Sequence, residues 1–128
     1  MKVGLETVDD IIVSRSAIKD MAKEIGFGIV DQTKIATAVS ELARNIVIYA
    51  GKGVLNVSAV MKNGKKGIEI ICEDHGPVIE DIGLACKDGY STSRGLGMGL
   101  PGSKRLMDDF DLRSAKGKGT TVVIRKWL

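Results

Sequence analysis

Glu41 and Asn45 stand four residues apart in the stretch DQTKIATAVSELARNIVIYAGKG, whose apolar residues recur at helical spacing. At that spacing the two side chains share a helix face, and Ala38 and Ile48 extend the same stripe. A carboxylate and an amide one turn apart suit a definite chemistry: the amide oxygen can ligate Mg2+ while the carboxylate accepts a proton from an attacking hydroxyl. Two surface polar residues on a helix flank would be written the same way. The stripe lies about 100° round from the Leu42 and Ile46 face, however, and is too apolar for a purely solvated one.

A second candidate is Glu73-Asp74-His75-Gly76-Pro77. An Asp at a strand end can accept a hydrogen bond from an exocyclic amine such as that of adenine, and Gly76 leaves room for a flat base; the same letters also spell an ordinary turn. The third is STSRGLGMGLPG, at 91–102. Gly97-Met-Gly-Leu-Pro-Gly102 spells the dinucleotide fingerprint, but that motif works only where a buried strand runs into it and an acidic residue follows about 20 positions later to hold a ribose. Tyr90-Ser-Thr-Ser-Arg94 is no buried strand, and no acid stands between Lys116 and Thr121. Gly102-Ser103-Lys104 has the wrong order for a Walker A loop, which needs Lys directly after the last Gly. What remains is a glycine-rich approach to a phosphate at the free N–H groups of a helix starting near Gly99, or a flexible loop capped by that helix.

The elements that must hold these residues follow from periodicity and punctuation. Residues 2–6 fit a short strand, and Thr7-Val-Asp-Asp10 has capping-box spacing, with Asp where Glu is the stronger choice. Ile11, Ile18, Met21, Ala22 and Ile25 share one face of the helix predicted next, until Gly26 and Gly28 end it. A second helix is predicted from Asp31 as N-cap, with Ile35, Val39, Leu42, Ile46 and Tyr49 on its apolar side, as far as Gly51. Residues 54–61 alternate, Leu55, Val57 and Ala59 opposite Val54, Asn56 and Ser58, and an Asn63-Gly64 turn joins them to a strand at 67–73. A short helix at 80–87 and a polar loop at 88–97 come next, then a helix from Gly99 through Lys104 and Leu106 to Phe110, with Pro101 tolerated in its first turn. Strands at 111–115 and 120–127 flank a Lys116-Gly-Lys-Gly119 turn. The order predicts an α+β fold, an antiparallel or mixed sheet with helices on one face.

Composition bounds the function. A chain of 128 residues is the size of one domain, 1–128, with 44% hydrophobic and 27% charged residues. Its glycines cluster at 51–53, 64–67, 95–102 and 117–119, where they punctuate and do not repeat. A net charge of +3 from scattered basic residues gives no stripe for nucleic acid, and one Trp, two Tyr and two Phe make no stacking platform. Cys72, Cys86 and the lone His75 have no metal-binding spacing, so the cysteines are expected to be reduced structural thiols. The stretch MKVGLETVDD lacks the long apolar core and small-residue cleavage site of a leader, no apolar run approaches the ~18 residues of a membrane span, and a cytoplasmic protein without membrane attachment is expected.

Taken together the candidate segments resemble a known family. Glu41-Leu-Ala-Arg-Asn45 is similar to the N box, Asp74-His-Gly76 to the first glycine box, Gly95-Leu-Gly-Met-Gly99 to the second, and Gly117-Lys-Gly-Thr120 to the last box of the GHKL ATP-binding superfamily, in the right order over most of the chain. The wording DQTKIATAVSELARNIVIYAGKG and DGYSTSRGLGMGLPGSKRLMDDF resembles the anti-sigma-factor-type serine/threonine kinases, and among them the RsbT-type switch kinases of the bacterial stressosome. The resemblance implies the GHKL (Bergerat) fold, a two-layer sandwich with a mixed, mostly antiparallel sheet and helices on one face. It implies ATP and Mg2+ as cofactors. Glu41 would be the general base for a substrate hydroxyl and Asn45 the Mg2+ ligand. Asp74 would bind the adenine amine with Gly76 giving close approach and Thr120 supporting through water. Residues 88–98 would be the ATP lid, Gly95 would be a nucleotide-binding position within it, and Gly97 and Gly99 with the following helix would hold the phosphates. STAS-domain stressosome proteins, scaffold and antagonist, would be substrates, and a phosphatase or other signalling effector the later partner.

One position departs from the pattern: the family's second glycine, two after Gly76, is Val78 here, a bulky β-branched residue that weakens ATP binding if the backbone there is left-handed or touches nucleotide. A non-catalytic partner-switching module with structural nucleotide binding is therefore a second reading. A sensor histidine kinase catalytic domain or topoisomerase-type ATPase shares the boxes but requires additional domains, and His75 lies inside the nucleotide box rather than on a dimerisation helix.

Overall fold

The computed structural model of the chain describes residues 1–74, 104–115 and 119–128. Along it run strand β1 (Lys2–Leu5), helices α1 (Val8–Ile25) and α2 (Ile29–Asn45), a π-helical turn (Ile46–Ala50), and strands β2 (Gly53–Lys62), β3 (Lys65–Asp74), β4 (Asp109–Ala115) and β5 (Gly119–Trp127). The strands form one sheet in the order β1-β2-β3-β5-β4, and every described pairing is antiparallel. Leu5, Ile18, Ile35, Val39, Leu55, Val57, Ile68, Ile70 and Ile124 are buried together between the two helices and one face of the sheet.

The start of α1 follows the capping-box spacing. The Asp10 carboxylate turns back to accept the backbone N–H groups of Glu6 at 2.8 Å and Thr7 at 3.0 Å, satisfying donors that a helix N-terminus otherwise leaves open. Ile18 and Ala22 are fully buried, and Ile11, Met21 and Ile25 pack against the core. Ser14 lies on the same buried face, its hydroxyl donating to the Ile11 carbonyl at 2.9 Å, so a polar residue occupies a core position that hydrophobic periodicity passes over.

Three helix boundaries differ from the sequence expectation. α2 does not open at Asp31: Gly28 is the N-cap and Asp31 lies in the first turn. Phe27 is buried, the Gln32 amide donates to its carbonyl at 2.8 Å, and the Gln32 backbone N–H bonds the Gly28 carbonyl at 2.9 Å. Packing of Phe27 thus starts the helix earlier than the strongest cap letter suggests, and Asp31 instead favours the positive end of the dipole. At its other end α2 changes to a π turn, closed by the Gly51 N–H on the Ile46 carbonyl at 2.9 Å. The helix expected to reach Phe110 is helical over 104–106, and Phe110 belongs to β4, paired with Ile124. The Asp108 N–H bonds the Arg125 carbonyl at 3.0 Å, and Lys126 Nζ takes the Leu106 carbonyl at 3.2 Å and lies 3.8 Å from the Asp108 carboxylate. These bonds stop the helical segment and turn the chain into the sheet.

The β2–β3 hairpin fixes register. Asn63 and Gly64 have φ of 52° and 79°, the left-handed pair of a two-residue type I′ turn. Lys62 then faces Lys65, and the ladder runs without a bulge to Gly53 facing Asp74. β5 continues it, with Asp74 opposite Thr120. Because a one-residue slip would send every side chain to the other face, the turn at one end of the hairpin decides what Asp74 faces at the other.

The capping carboxylate carries a pH-dependent prediction. The Glu6 and Thr7 N–H groups hold the Asp10 carboxyl below its ordinary value. A depressed folded-state pKa contributes stability above the unfolded value of about 3.9, lost as pH falls through the lower folded value. Asp10→Ala should therefore lower the thermal midpoint at pH 7, with the gap to the parent protein closing as melts are taken to progressively lower pH below 4. An equal gap at all pH values would show that the carboxylate charge is not what caps the helix.

Candidate nucleotide site at the end of α2 and the sheet

α2 places Glu41 and Asn45 one turn apart, both half-buried, with Ala38 fully buried on the same side. Ile48, expected on that stripe, lies in the π turn and is 49% exposed, because the wider turn breaks the rotational phase that an α-helix would keep. Asn45 is the last residue of α2, and its Nδ2 is buried with no hydrogen-bond partner. An orphaned buried amide costs on the order of 1–3 kcal/mol and is an exception that asks for a ligand.

The other half of the site is the end of the sheet. Asp74 closes β3, and its cross-strand neighbour is Thr120, near the start of β5 and buried. Alternation puts Asp74 on the helix-facing side with Cys72. Burial, and secondarily the nearby Asp74 charge, pushes the Cys72 thiol well above its usual range. Cys72 is therefore an inert core thiol, and the negative charge of Asp74 is felt on that side of the sheet.

Gly53 joins the two halves. It faces Asp74 across the β2–β3 ladder. A Cβ built on it would run into the Glu73 carbonyl oxygen, lie 2.7 Å from Ile46 Cγ2 and 3.3 Å from Asp74 Cβ. Ile46 directly follows Asn45, so the residue next to the end of the Glu41–Asn45 stripe rests on the β2 backbone beside Asp74. The sequence marks Gly51 to Gly53 only as a break; the signal it does hold is that the second glycine begins a strand, where close backbone approach is one of the few reasons to place one.

Gly76, Gly95, Gly97, Gly99, Val78, the 80–87 helix and the 88–98 segment lie outside the described residues. Among the described residues no cluster of three or more His, Cys, Asp or Glu could hold a metal, and no helix is long and apolar enough to cross a membrane. Asn45 nevertheless fits Mg2+: a half-turn of its amide brings Oδ1 to the buried position that Nδ2 leaves unpaired. A single protein oxygen also fits an ion that keeps several waters and relies on substrate phosphates for other ligands.

Comparison with known proteins bears on the family and the fold. The family model described as "Histidine kinase-like ATPase domain" matches residues 6–126. The serine/threonine-protein kinase RsbT of Bacillus subtilis (strain 168) is 55% identical over 126 residues, covering 98% of this chain and 95% of that protein. The anti-sigma F factor of Caldanaerobacter subterraneus subsp. tengcongensis is 31% identical over 121 residues, covering 90% and 83%. Two solved structures share the fold. The RsbU and RsbW domains of Rv1364c from Mycobacterium tuberculosis superpose with a TM-score of 0.63 at 19% identity, over 98% of this chain and 32% of that one. The SiaB-SiaC complex of Pseudomonas aeruginosa gives 0.61 at 10% identity, over 100% and 89%. With a family model over nearly its whole length and a relative at 55% identity, the chain belongs to the histidine kinase-like (GHKL) ATPase family, in its branch of anti-sigma-factor-type serine/threonine kinases.

Proposed function

We propose that this chain moves the γ-phosphoryl group of ATP to a serine or threonine hydroxyl of a STAS-domain stressosome protein, scaffold or antagonist, in the cytoplasm. After transfer it leaves that protein and engages a downstream phosphatase or other signalling effector. The observation that supports the reading is that Ile46, which directly follows Asn45, and Asp74, the cross-strand neighbour of Thr120, both lie beside Gly53, with Glu41 one turn earlier on α2. The kinship with RsbT of Bacillus subtilis supplies the reaction class. Exposed Val8, Ile12 and Val13 on α1 add apolar surface of the kind that protein partners cover.

In this reading Asp74 accepts a hydrogen bond from the adenine amine and Thr120, beside it, supports the base through water. Gly76 lets the base lie close, Gly95 binds the nucleotide from the ATP lid at 88–98, and Gly97 and Gly99 hold the phosphates. Asn45 holds Mg2+ through its amide oxygen. When bound, the ion neutralises phosphate charge as the transferred group moves between oxygens. Glu41, one turn earlier, accepts the proton of the substrate hydroxyl as its oxygen attacks. Positioning dominates, since phosphoryl transfer asks for in-line geometry more than for covalent chemistry from the protein.

Transfer from γ-labelled ATP to a purified stressosome STAS protein tests this. Glu41→Ala should lose roughly 10²–10⁴-fold in rate, the usual contribution of a general base, while keeping nucleotide affinity. Asn45→Ala should lose both transfer and the gain in ATP affinity that Mg2+ gives the parent protein. A parent protein that binds the STAS protein but transfers no phosphate would replace the kinase with the non-catalytic switching module, and Val78→Gly would then be expected to raise ATP affinity. Full activity in Glu41→Ala would remove the base from Glu41.

A further inference from the structure

We propose that Gly53 is the positioning residue that sets the nucleotide specificity of the site: the absent Cβ lets α2 and β3 approach closely enough for Asp74 to read the base while Asn45 serves the phosphate end. The proposal deepens the reading above and rests on it. Normal carbon contacts lie at about 3.5–4.0 Å, whereas a Cβ at Gly53 would lie 2.7 Å from Ile46 Cγ2 and would also collide with the Glu73 carbonyl. One methyl group would therefore force a shift on the order of 1 Å, either of the π turn away from the sheet or of the β3 end away from β2. Neither neighbour can swing aside freely. Ile46 is 4% exposed and seated in the core, and the Glu73 oxygen is backbone within the β2–β3 ladder.

The two structures that would have to move are those that bear the two ends of the nucleotide. Ile46 is bonded to Asn45 and opens the π turn, and the Glu73 carbonyl is joined to Asp74. Gly53 has no side chain with which to bind a ligand; its effect passes through the spacing of Asn45 and Asp74. Backbone freedom does not explain the glycine, because Gly53 is absent from the positive-φ positions and pairs regularly with Asp74. A purely stabilising small residue at a strand start would make Gly53→Ala change stability alone. A spacing role changes which base the site prefers.

The test compares dissociation constants for ATP and inosine triphosphate, both with Mg2+, on the full chain. Inosine carries a carbonyl where adenine carries its amine, so it opposes a carboxylate acceptor. The parent protein should prefer ATP, Asp74→Asn should lose that preference, and Gly53→Ala should lose it by roughly ten- to hundredfold, the span of a charge-assisted hydrogen bond. A ratio taken on one sample does not depend on how much of it is folded, so general destabilisation does not move it. Should Gly53→Ala fail to fold, Ile46→Ala keeps the glycine, removes the side chain resting on it, and is expected to lower the same ratio. An unchanged ratio in either folded variant, beside a parent that prefers ATP through Asp74, overturns the role of Gly53. A parent without preference, or Asp74→Asn that keeps it, overturns the base-reading assignment itself and the inference with it.

Discussion

The contact of Ile46 with the β2 backbone at Gly53 is the constraint on which the proposed nucleotide site depends. A helix end and a sheet end are separate structural units, each with its own internal hydrogen bonds, and nothing in either fixes their spacing. Here the spacing is set by direct packing of a side chain onto a bare backbone beside Asp74. Interiors are close-packed and respond to one methyl group, so a contact of this kind transmits position without any polar bond. Asn45, with its unpaired buried amide nitrogen, is one residue from that contact, and Asp74 lies beside it.

The rest of the molecule supplies the two surfaces that meet there. The Asn63-Gly64 turn pins the hairpin register that puts Gly53 opposite Asp74, and β5 extends that row to Thr120. The core beneath α1 and α2 seats the helix on the sheet through Ile35, Val39 and Leu42, so that the α2 end arrives over the strand ends. At the opposite end of β5, Lys126 and Asp108 hold the chain between residue 106 and β4. Family membership and this geometry are independent of each other. The first comes from sequence identity over nearly the whole chain, the second from burial and register.

Much of this was legible in the residues. Apolar spacing located α1, α2 and the hairpin, and the capping-box letters gave the start of α1, because each is a local signal with a local cause. What escaped depended on contacts between distant parts. Asp31 is the better cap by composition, yet burial of Phe27 and the Gln32 amide moved the start of α2 to Gly28. The spacing of Ile46 and Tyr49 continues an α-helical pattern, so no local signal announces the π turn. Phe110 satisfies a helical stripe as well as a strand, and pairing with Ile124 decides the matter. At the proposed site, the letters at Glu41, Asn45, Asp74 and Thr120 suggest a chemistry, whereas Gly53 suggests none, since what matters there is an atom it lacks.

The central claim is that one nucleotide spans the end of α2 and the ends of β3 and β5. Amide hydrogen exchange with and without ADP and Mg2+ measures it most directly. The account predicts that ligand slows exchange in peptides covering residues 45–51 and in those covering 72–74 and 119–121 together, with the same dependence on nucleotide concentration. Protection confined to one of these regions, or spread over neither, would contradict it.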